Sequence, residues 1–206
     1  WLFYRPDVRL VSQRPAPAVQ ARAVPAILDW RRQLAEQGIR LVVVVAPLKP
    51  ALLPDRVARR FAVGVAAWRA PETAAVLGTL RTAGVEVVDL PAVFGALPAP
   101  GLAEEPWYEP ADTHWSQRGL HVAADAIIET IGWARVPGVY QVREEMVLRP
   151  ADLERLRAAS VVDERRPKEA CLVVADAQGR APATPPAGAE VLLDLEGEIL
   201  LFAIDR

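Results

Sequence analysis

Residues 39–47 read IRLVVVVAP, and this stretch decides what kind of fold the chain adopts. A strand with one face in water alternates apolar and polar residues, but this one is apolar without interruption from Leu41 to Pro47. Both faces of the strand must therefore be covered by other parts of the protein. Burial of this kind is typical of a parallel sheet with helices on both sides.

The segments on either side of this strand repeat one pattern of helix, glycine and strand. Residues 25–37 carry apolar residues at helical spacing and end at Gly38, directly before the buried strand. Residues 71–83 are helical in composition, Gly84 ends them, and VEVVDLP follows as a second strand. Two such units predict an α/β fold with a mainly parallel central sheet and helices on both faces.

The rest of the chain is less regular. A loop rich in proline and glycine, residues 95–111, leads to a helix with Ser116 as its N-cap and a broad apolar face. Residues 151–159 favour a short helix, CLVVADAQG a strand, and residues 190–205 two apolar strands joined as a hairpin. No internal sequence repeat is evident. We expect a single domain over residues 1–206.

Composition and charge exclude several classes of function. The net charge of -2 provides no basic field for a nucleic acid, so we expect no nucleic-acid partner. The single cysteine, Cys171, rules out a disulfide framework within the chain. No apolar run approaches the ~20 residues that a transmembrane helix requires. The first residues, WLFYRPD, contain no recognisable targeting segment.

The stretch EPADTHWSQRG, residues 109–119, holds one of only two histidines in the chain. An aspartate that accepts a hydrogen bond from one imidazole nitrogen fixes the tautomer of the ring. The other nitrogen is then free to take a proton from a nucleophile. The spacing of Asp112 and His114 suits this arrangement if the backbone curls at the start of a helix.

Two other interpretations of the same residues stay open at this point. Asp112 or Thr113 would cap the helix, with His114 an ordinary surface or core residue. Alternatively, His114 and His121 would share a helix face with Asp112 or Asp125 and bind a metal ion, but no third ligand stands at a diagnostic spacing. We therefore predict no metal site and no cofactor.

Three segments together resemble one protein family. They are WLFYR at residues 1–5, VAPLKPALLPDR at the end of the buried strand, and DTHWSQRGLHVAADAI. Over roughly residues 1–193 the chain resembles the SGNH hydrolase-like domain of the alginate O-acetyltransferase family, the AlgX and AlgJ type. The most specific element is D-T-H-W followed by a glycine and an alanine-rich helix.

The resemblance implies a three-layer SGNH-like fold and a function. Asp112 would be the orienting carboxylate and His114 the general base of a Ser-His-Asp triad, which moves acetyl groups onto polysaccharide hydroxyls. The implied partners are a polysaccharide substrate and a membrane-bound acetyl donor protein, and the implied location is extracytoplasmic, in the periplasm.

The serine of this family is not recognisable in the chain. It would follow the strand at residues 189–193 in a Gly-Asp-Ser or Gly-Thr-Ser turn, but the sequence continues DLEGEILLFAIDR. The serines present are Ser12, Ser116 and Ser160, and none stands in such a turn. Because the pattern ends abruptly, we expect a domain that is incomplete at its C-terminal end. The alternative is a non-catalytic polysaccharide-binding or assembly component with the same fold.

Four further residues are candidates for substrate binding. Lys49 follows the first central strand, at the sheet edge where open α/β folds bind ligands, and would attract an anionic sugar such as a uronate. Trp107, Tyr108 and Trp115 flank the Asp112 motif and would line a sugar site, although core packing explains Trp115 equally well.

These interpretations predict a geometry. The ends of both strands, residues 46–49 and 89–90, should lie at one edge of the sheet together with the turn at residues 112–114. A carboxylate oxygen of Asp112 should lie within about 3.2 Å of an imidazole nitrogen of His114.

Overall fold

The computed structural model describes residues 1–12, 17–58, 60, 71–101, 104–132, 141–147, 152–153, 169–175, 191–195 and 199–204. The helices are α1 (Arg5–Ser12), α2 (Pro17–Glu36), α3 (Lys49–Leu52), α4 (Pro54–Val57), α5 (Pro71–Thr82), α6 (Leu90–Ala96) and α7 (Gln117–Ile131). The strands are β1 (Arg40–Val45), β2 (Glu86–Asp89), β3 (Gln141–Val147), β4 (Glu169–Ala175), β5 (Val191–Leu195) and β6 (Ile199–Ile204).

The strands form two sheets. The larger has the order β2-β1-β6-β5, and β3 and β4 pair with each other as an antiparallel ribbon. β1 and β2 are parallel, with Val45 opposite Asp89 at their carboxyl ends. β6 runs antiparallel to both β1 and β5. The short connection from β5 to β6 requires this direction, because parallel neighbours need a long crossover.

Helices cover both faces of β1, as the continuous run of valines predicts. Val42 and Val44 pack into a core cluster with Leu90 and Phe94 of α6 and with Ala123 of α7. The opposite face belongs to a second cluster, which contains residues of β1, α2 and α5 and the residue directly before β2: Ile27, Leu41, Val43, Val45, Leu77, Leu80 and Val85. The expected SGNH-like α/β fold is confirmed. Its sheet was expected to be mainly parallel; the described part has one parallel pair, β1 with β2, and two antiparallel pairs, because β6 returns from β5 by a short connection.

The two helix-glycine-strand units are present, with one difference in length. Gly38 and Gly84 both have a φ of 77°, a left-handed conformation that glycine adopts at low cost. α2 begins at Pro17, eight residues before the predicted start, and Pro25 lies inside it. A proline inside a helix removes one backbone hydrogen bond, so Pro25 was expected in the first turn. Burial of the following residues against β1 and α5 outweighs this loss.

Five elements were not predicted: α1, α3, α4, α6 and β3. α6 begins directly after β2, because the side chain of Asp89 accepts a hydrogen bond from Ala92 N and caps the helix. β3 lies where the apolar pattern is weak. The predicted hairpin is present as the antiparallel pair β5 and β6. Of the short helix expected at residues 151–159, only 152–153 fall within the described part.

The helices of the described ranges include none that is long and apolar enough to cross a membrane.

Candidate active site

The turn that contains Asp112 and His114 lies at the expected edge of the sheet, where β1 and β2 end. Val45 and Asp89 end adjacent parallel strands. The Tyr108 hydroxyl donates a hydrogen bond to Pro47 O, and the Lys49 ammonium donates to Asp112 O at 2.8 Å. These contacts bring the segment before α7 to the carboxyl end of β1, and the predicted grouping of the three segments is confirmed.

A tight turn presents His114. Glu109 N donates to His114 O at 3.2 Å, and Asp112 N donates to Glu109 O at 3.4 Å. The Asp112 carboxylate bends over the turn, and its Oδ1 accepts the His114 backbone N–H at 2.9 Å. Aspartate often closes a turn in this way, two residues along the chain. Asp112 thus caps the backbone and contacts the ring as well.

The turn is anchored to the first residues of α7. The Ser116 side chain accepts from Gly119 N at 3.1 Å, as predicted for an N-cap, and donates to Pro106 O. Gly119 lies against the chain that precedes the turn, so a methyl group there would come within 2.2 Å of Trp107 O. The D-T-H-W motif is followed by glycine because no side chain fits at this approach.

The central interaction is between Asp112 and His114. Oδ1 of Asp112 lies 2.5 Å from Nδ1 of His114, which agrees with the predicted contact. Burial works against ionisation of Asp112, but hydrogen bonds from the His114 ring and from the His114 and Asp152 N–H groups outweigh it. The pKa of Asp112 is therefore lowered to about 2. Since an ionised carboxylate only accepts hydrogen bonds, Nδ1 carries the proton when the ring is neutral. The ring is 78% exposed, which leaves Nε2 available.

Asp152 was not identified from the sequence, yet it joins this group. Its backbone N–H donates to Asp112 Oδ2 at 3.0 Å. Its carboxylate accepts the Thr113 N–H at 2.8 Å and also the Thr113 hydroxyl. Oδ2 of Asp152 lies 3.8 Å from His114 Nδ1. No spacing rule would have found this residue, because it lies 40 positions from Asp112 in the sequence.

Asp112, His114 and Asp152 also have the side chains that bind metal ions, and their ligand atoms lie within 4.8 Å of one another. This set differs from the metal alternative raised by the sequence, which used His121 or Asp125. Every oxygen of the two carboxylates already accepts a hydrogen bond from Thr113, His114 or the Asp152 backbone. These bonds account for the cluster without a cation.

The Lys49 side chain is buried, whereas binding of a substrate requires an exposed ammonium. It is only 2% exposed, and its ammonium lies within hydrogen-bond distance of four carbonyl oxygens: Leu2 O at 2.8 Å, Glu109 O at 2.7 Å, Pro110 O at 3.0 Å and Asp112 O at 2.8 Å. Burial lowers the pKa of Lys49 to about 8, against the opposing effect of nearby carboxylates such as Asp112 and Asp152. An ammonium with three protons and four such acceptors has no free donor for a sugar. The expected contact with a uronate is therefore not supported, and Lys49 instead holds the turn.

The three aromatic candidates differ in their burial. Trp107 and Tyr108 are 4% and 5% exposed and belong to the core, where neither ring is open to a ligand. Their expected contact with a sugar is not supported by this placement. Trp115 is partly buried, with its ring 6.3 Å from Phe94 and 6.4 Å from Tyr108, centroid to centroid.

Neither serine in the described ranges is placed as a nucleophile. Ser116 is 1% exposed and its hydroxyl is used in the cap of α7. Ser12 ends α1 and donates to Arg9 O. Ser160 lies outside the described residues.

The fold and the site together define a class. A three-layer α/β domain with an Asp-His pair at the carboxyl edge of its parallel strands has the architecture of an SGNH hydrolase-like domain. The family described as SGNH hydrolase-like domain, acetyltransferase AlgX, matches residues 1–167. The chain therefore belongs to this family. No curated protein sequence matches it.

Two solved structures are similar to the chain. The O-acetyltransferase domain of Pseudomonas putida AlgJ has a TM-score of 0.51 and 20% sequence identity, with 84% of this chain and 61% of that chain covered. Bacillus cereus PatB1 with a sulfonyl adduct has a TM-score of 0.48 and 17% identity, with 78% of this chain and 49% of that chain covered. The chain thus spans about 61% of the AlgJ domain, and at this identity the likeness concerns the fold.

Proposed function

We propose that this domain provides the histidine and the aspartate of a Ser-His-Asp site that transfers acetyl groups onto hydroxyls of an alginate-like exopolysaccharide. The observation that carries the proposal is the 2.5 Å contact between Asp112 Oδ1 and His114 Nδ1, on a ring that is 78% exposed. The contact fixes the proton on Nδ1 and leaves Nε2 as a base directed away from its partner.

The proposed reaction has two steps, and His114 acts as base and acid in each. Nε2 takes the proton of the serine hydroxyl as its oxygen attacks the acetyl carbonyl, and then returns that proton to the leaving group of the donor. In the second step Nε2 takes the proton of a sugar hydroxyl, whose oxygen attacks the acetyl-serine ester. The bond between the acetyl carbon and the serine oxygen then breaks, and Nε2 returns the proton to that serine oxygen. Asp112 holds the ring in place and stabilises its positive charge each time.

The topology of the larger sheet supports a nucleophile near the end of β5. Leu195 of β5 pairs with Ile199, and Ile199 pairs with Val45, so all three lie at the edge that carries His114. In the family the serine follows this strand, but here Asp194 and Leu195 continue the strand instead. We propose that the amino-acid sequence of this chain departs from that of the active protein just after Leu193.

Membership of the family supports the remaining parts of the proposal. These parts are a polysaccharide acceptor, a membrane-bound acetyl donor protein and a periplasmic location. Trp115 is the aromatic candidate that we retain for the sugar, since it is partly exposed and adjacent to His114 in the sequence.

The chemical test is hydrolysis of an activated acetyl ester by the purified chain, beside a His114→Ala variant and with intact-mass measurement. We expect rates near background for both and no added acetyl mass, because loss of the nucleophile from a triad costs several orders of magnitude. Robust turnover that His114→Ala abolishes, or a stable adduct on Ser116 or Ser160, would show that one of these serines is the nucleophile.

The genetic test is to read the encoding DNA after codon 193 in all three frames. A Gly-Asp-Ser or Gly-Thr-Ser turn in another frame, followed by a further strand pattern, is the expected result. If no frame encodes such a turn, the proposal that the chain was truncated or altered before its nucleophile is contradicted, and the non-catalytic alternative is favoured.

A second function, a non-catalytic polysaccharide-binding or assembly component, is favoured by one observation. Ser116, the serine nearest to His114 in the sequence, is buried in a helix cap. Under this alternative the chain would bind the polysaccharide with the same affinity after His114→Ala, and no frame would encode the nucleophile turn. Calorimetric titration of both proteins with alginate oligosaccharides compares the two.

A further inference from the structure

We propose that Asp152 is a positioning residue of this site, and that it sets the tautomer and the orientation of His114 by fixing Asp112. The proposal deepens the proposed function, in which His114 is the base. It rests on the contacts between a distant segment and the turn that carries the Asp-His pair.

The contacts are reciprocal. Asp152 donates its backbone N–H to Asp112 Oδ2 at 3.0 Å, and its carboxylate accepts from the N–H and the hydroxyl of Thr113. Each segment thus provides a carboxylate that caps a backbone N–H of the other. Thr113 lies between Asp112 and His114 in the sequence. The hydrogen bonds between Asp152 and Thr113 therefore restrain the backbone on which both Asp112 and His114 stand.

The position of Asp112 Oδ2 has a direct consequence for His114. A carboxylate that is held by one oxygen cannot rotate freely, so its other oxygen stays directed at the His114 N–H and at Nδ1. Without the bond to Asp152 N, the Asp112 carboxylate is held only through Oδ1 by His114, and it can rotate about that contact toward solvent. Nδ1 then loses its fixed acceptor, and the neutral ring is free to place its proton on either nitrogen.

The burial of these groups is consistent with a positioning role. The Asp112 side chain is 16% exposed and that of Asp152 is 34% exposed, whereas His114 is 78% exposed. Asp152 is less exposed than His114, although more exposed than Asp112, and both of its carboxylate oxygens accept hydrogen bonds from Thr113. It therefore acts through Asp112 and not on the substrate.

The test is long-range proton–nitrogen NMR of the full chain with labelled histidine. The chain has two histidines, and His121 is exposed on α7, so its signal serves as an internal reference. In the wild type we expect the neutral His114 ring to be protonated on Nδ1. Asp152→Ala keeps the backbone N–H of residue 152 but removes the carboxylate that ties this segment to Thr113. We expect that N–H to leave Asp112 Oδ2 and the ratio of Nε2–H to Nδ1–H forms to rise about three- to tenfold, the equivalent of one lost hydrogen bond, with His121 unchanged.

Three further variants make the result specific. Glu129→Ala removes an exposed carboxylate from α7 and should leave His114 unchanged. Asp152→Asn keeps one oxygen for the Thr113 N–H and should retain most of the wild-type ratio. Thr113→Val removes only the hydroxyl contact, and should shift the ratio in the same direction as Asp152→Ala by a smaller factor.

A folded Asp152→Ala protein with the wild-type tautomer ratio would overturn the proposal, even if its melting temperature fell. An equal loss in Asp152→Asn and Asp152→Ala would also overturn it, because charge and not position would then be responsible. If Asp152→Ala does not fold, the Thr113→Val ratio decides: an unchanged ratio contradicts the proposal. The measurement requires neither serine nor acetyl donor, so it can succeed where the acetyl ester assay fails, and the reverse.

Discussion

Lys49 and His114 both form hydrogen bonds with Asp112, yet they have opposite surroundings. The Lys49 ammonium is 2% exposed and lies among backbone carbonyls, whereas the His114 ring is 78% exposed and contacts a carboxylate at one nitrogen. Both are cationic or basic groups at the same sheet edge, where ligands bind in such folds. The difference is that one basic residue holds the turn through buried hydrogen bonds while the other presents an exposed ring.

The close approach of α7 to the turn gives the largest expected effect. Gly119→Ala places a methyl group 2.2 Å from Trp107 O, so the helix or the turn must move. We expect a loss of about 3 kcal/mol or more in the free energy of unfolding, measured by urea denaturation.

Gly78→Ala is the matched control, because it also lies inside a helix but meets no atom within 4 Å. It should stabilise the protein by about 0.5–1 kcal/mol, since alanine is the better helix former. If both variants had the same stability, the tight contact between α7 and Trp107 would not exist in solution.

The next largest effect on stability is expected from substitution of Lys49, in comparison with substitution of His114. Lys49→Met removes the donor for carbonyl oxygens of the turn and of Leu2, and should lower the free energy of unfolding by about 2–3 kcal/mol. His114→Ala removes an exposed ring and should change it by less than about 0.5 kcal/mol.

Urea denaturation of both variants at pH 7 compares them directly. Arg32→Met, on a side chain that is 61% exposed, controls for loss of a positive charge. A larger loss of stability in His114→Ala than in Lys49→Met would reverse the assignment of the two residues.

The smallest effect between successive measurements is the dependence of stability on pH that Lys49 produces. Its pKa is lowered in the folded protein from 10.5 to about 8, so between these values the unfolded chain holds a proton that the folded chain has released. Stability rises with pH wherever the unfolded state binds more protons. The Lys49 contribution should therefore raise the free energy of unfolding from about pH 8 to pH 10.5, by at most about 1.4 kcal/mol per pH unit.

The measurement is the difference in the free energy of unfolding between wild type and Lys49→Met, taken at half-unit steps from pH 7 to pH 10.5. Other groups titrate in both proteins and cancel in this difference. A difference that stays constant, or that moves against the wild type with rising pH, would mean that burial does not lower this pKa.

Much of the fold was predictable from local sequence. The continuous valines of β1 required cover on both faces, and the glycines after α2 and α5 marked where helices end. The helix start at Asp89 was missed although its signal was present: an aspartate that caps the helix, with a proline directly after its first residue.

The site was predictable only in part, and the physical reason is sequence distance. Asp112 and His114 are two residues apart, so a turn suffices to join them and their types suggested the chemistry. Asp152 is an acidic residue in a polar stretch, and nothing in its neighbours distinguishes it from a solvated one. Its role depends on a chain path that brings it back to Thr113.

The sequence by itself determined the two-sided burial of β1, the helix ends at glycine, the cap at Ser116 and the Asp112-His114 pair, because each depends on residues close along the chain. Only the tertiary structure decided that Lys49, Trp107 and Tyr108 are inside and that Asp152 holds Asp112. Burial is a property of how segments pack, so a lysine or a tryptophan beside a motif has the same letters whether it faces a ligand or the core.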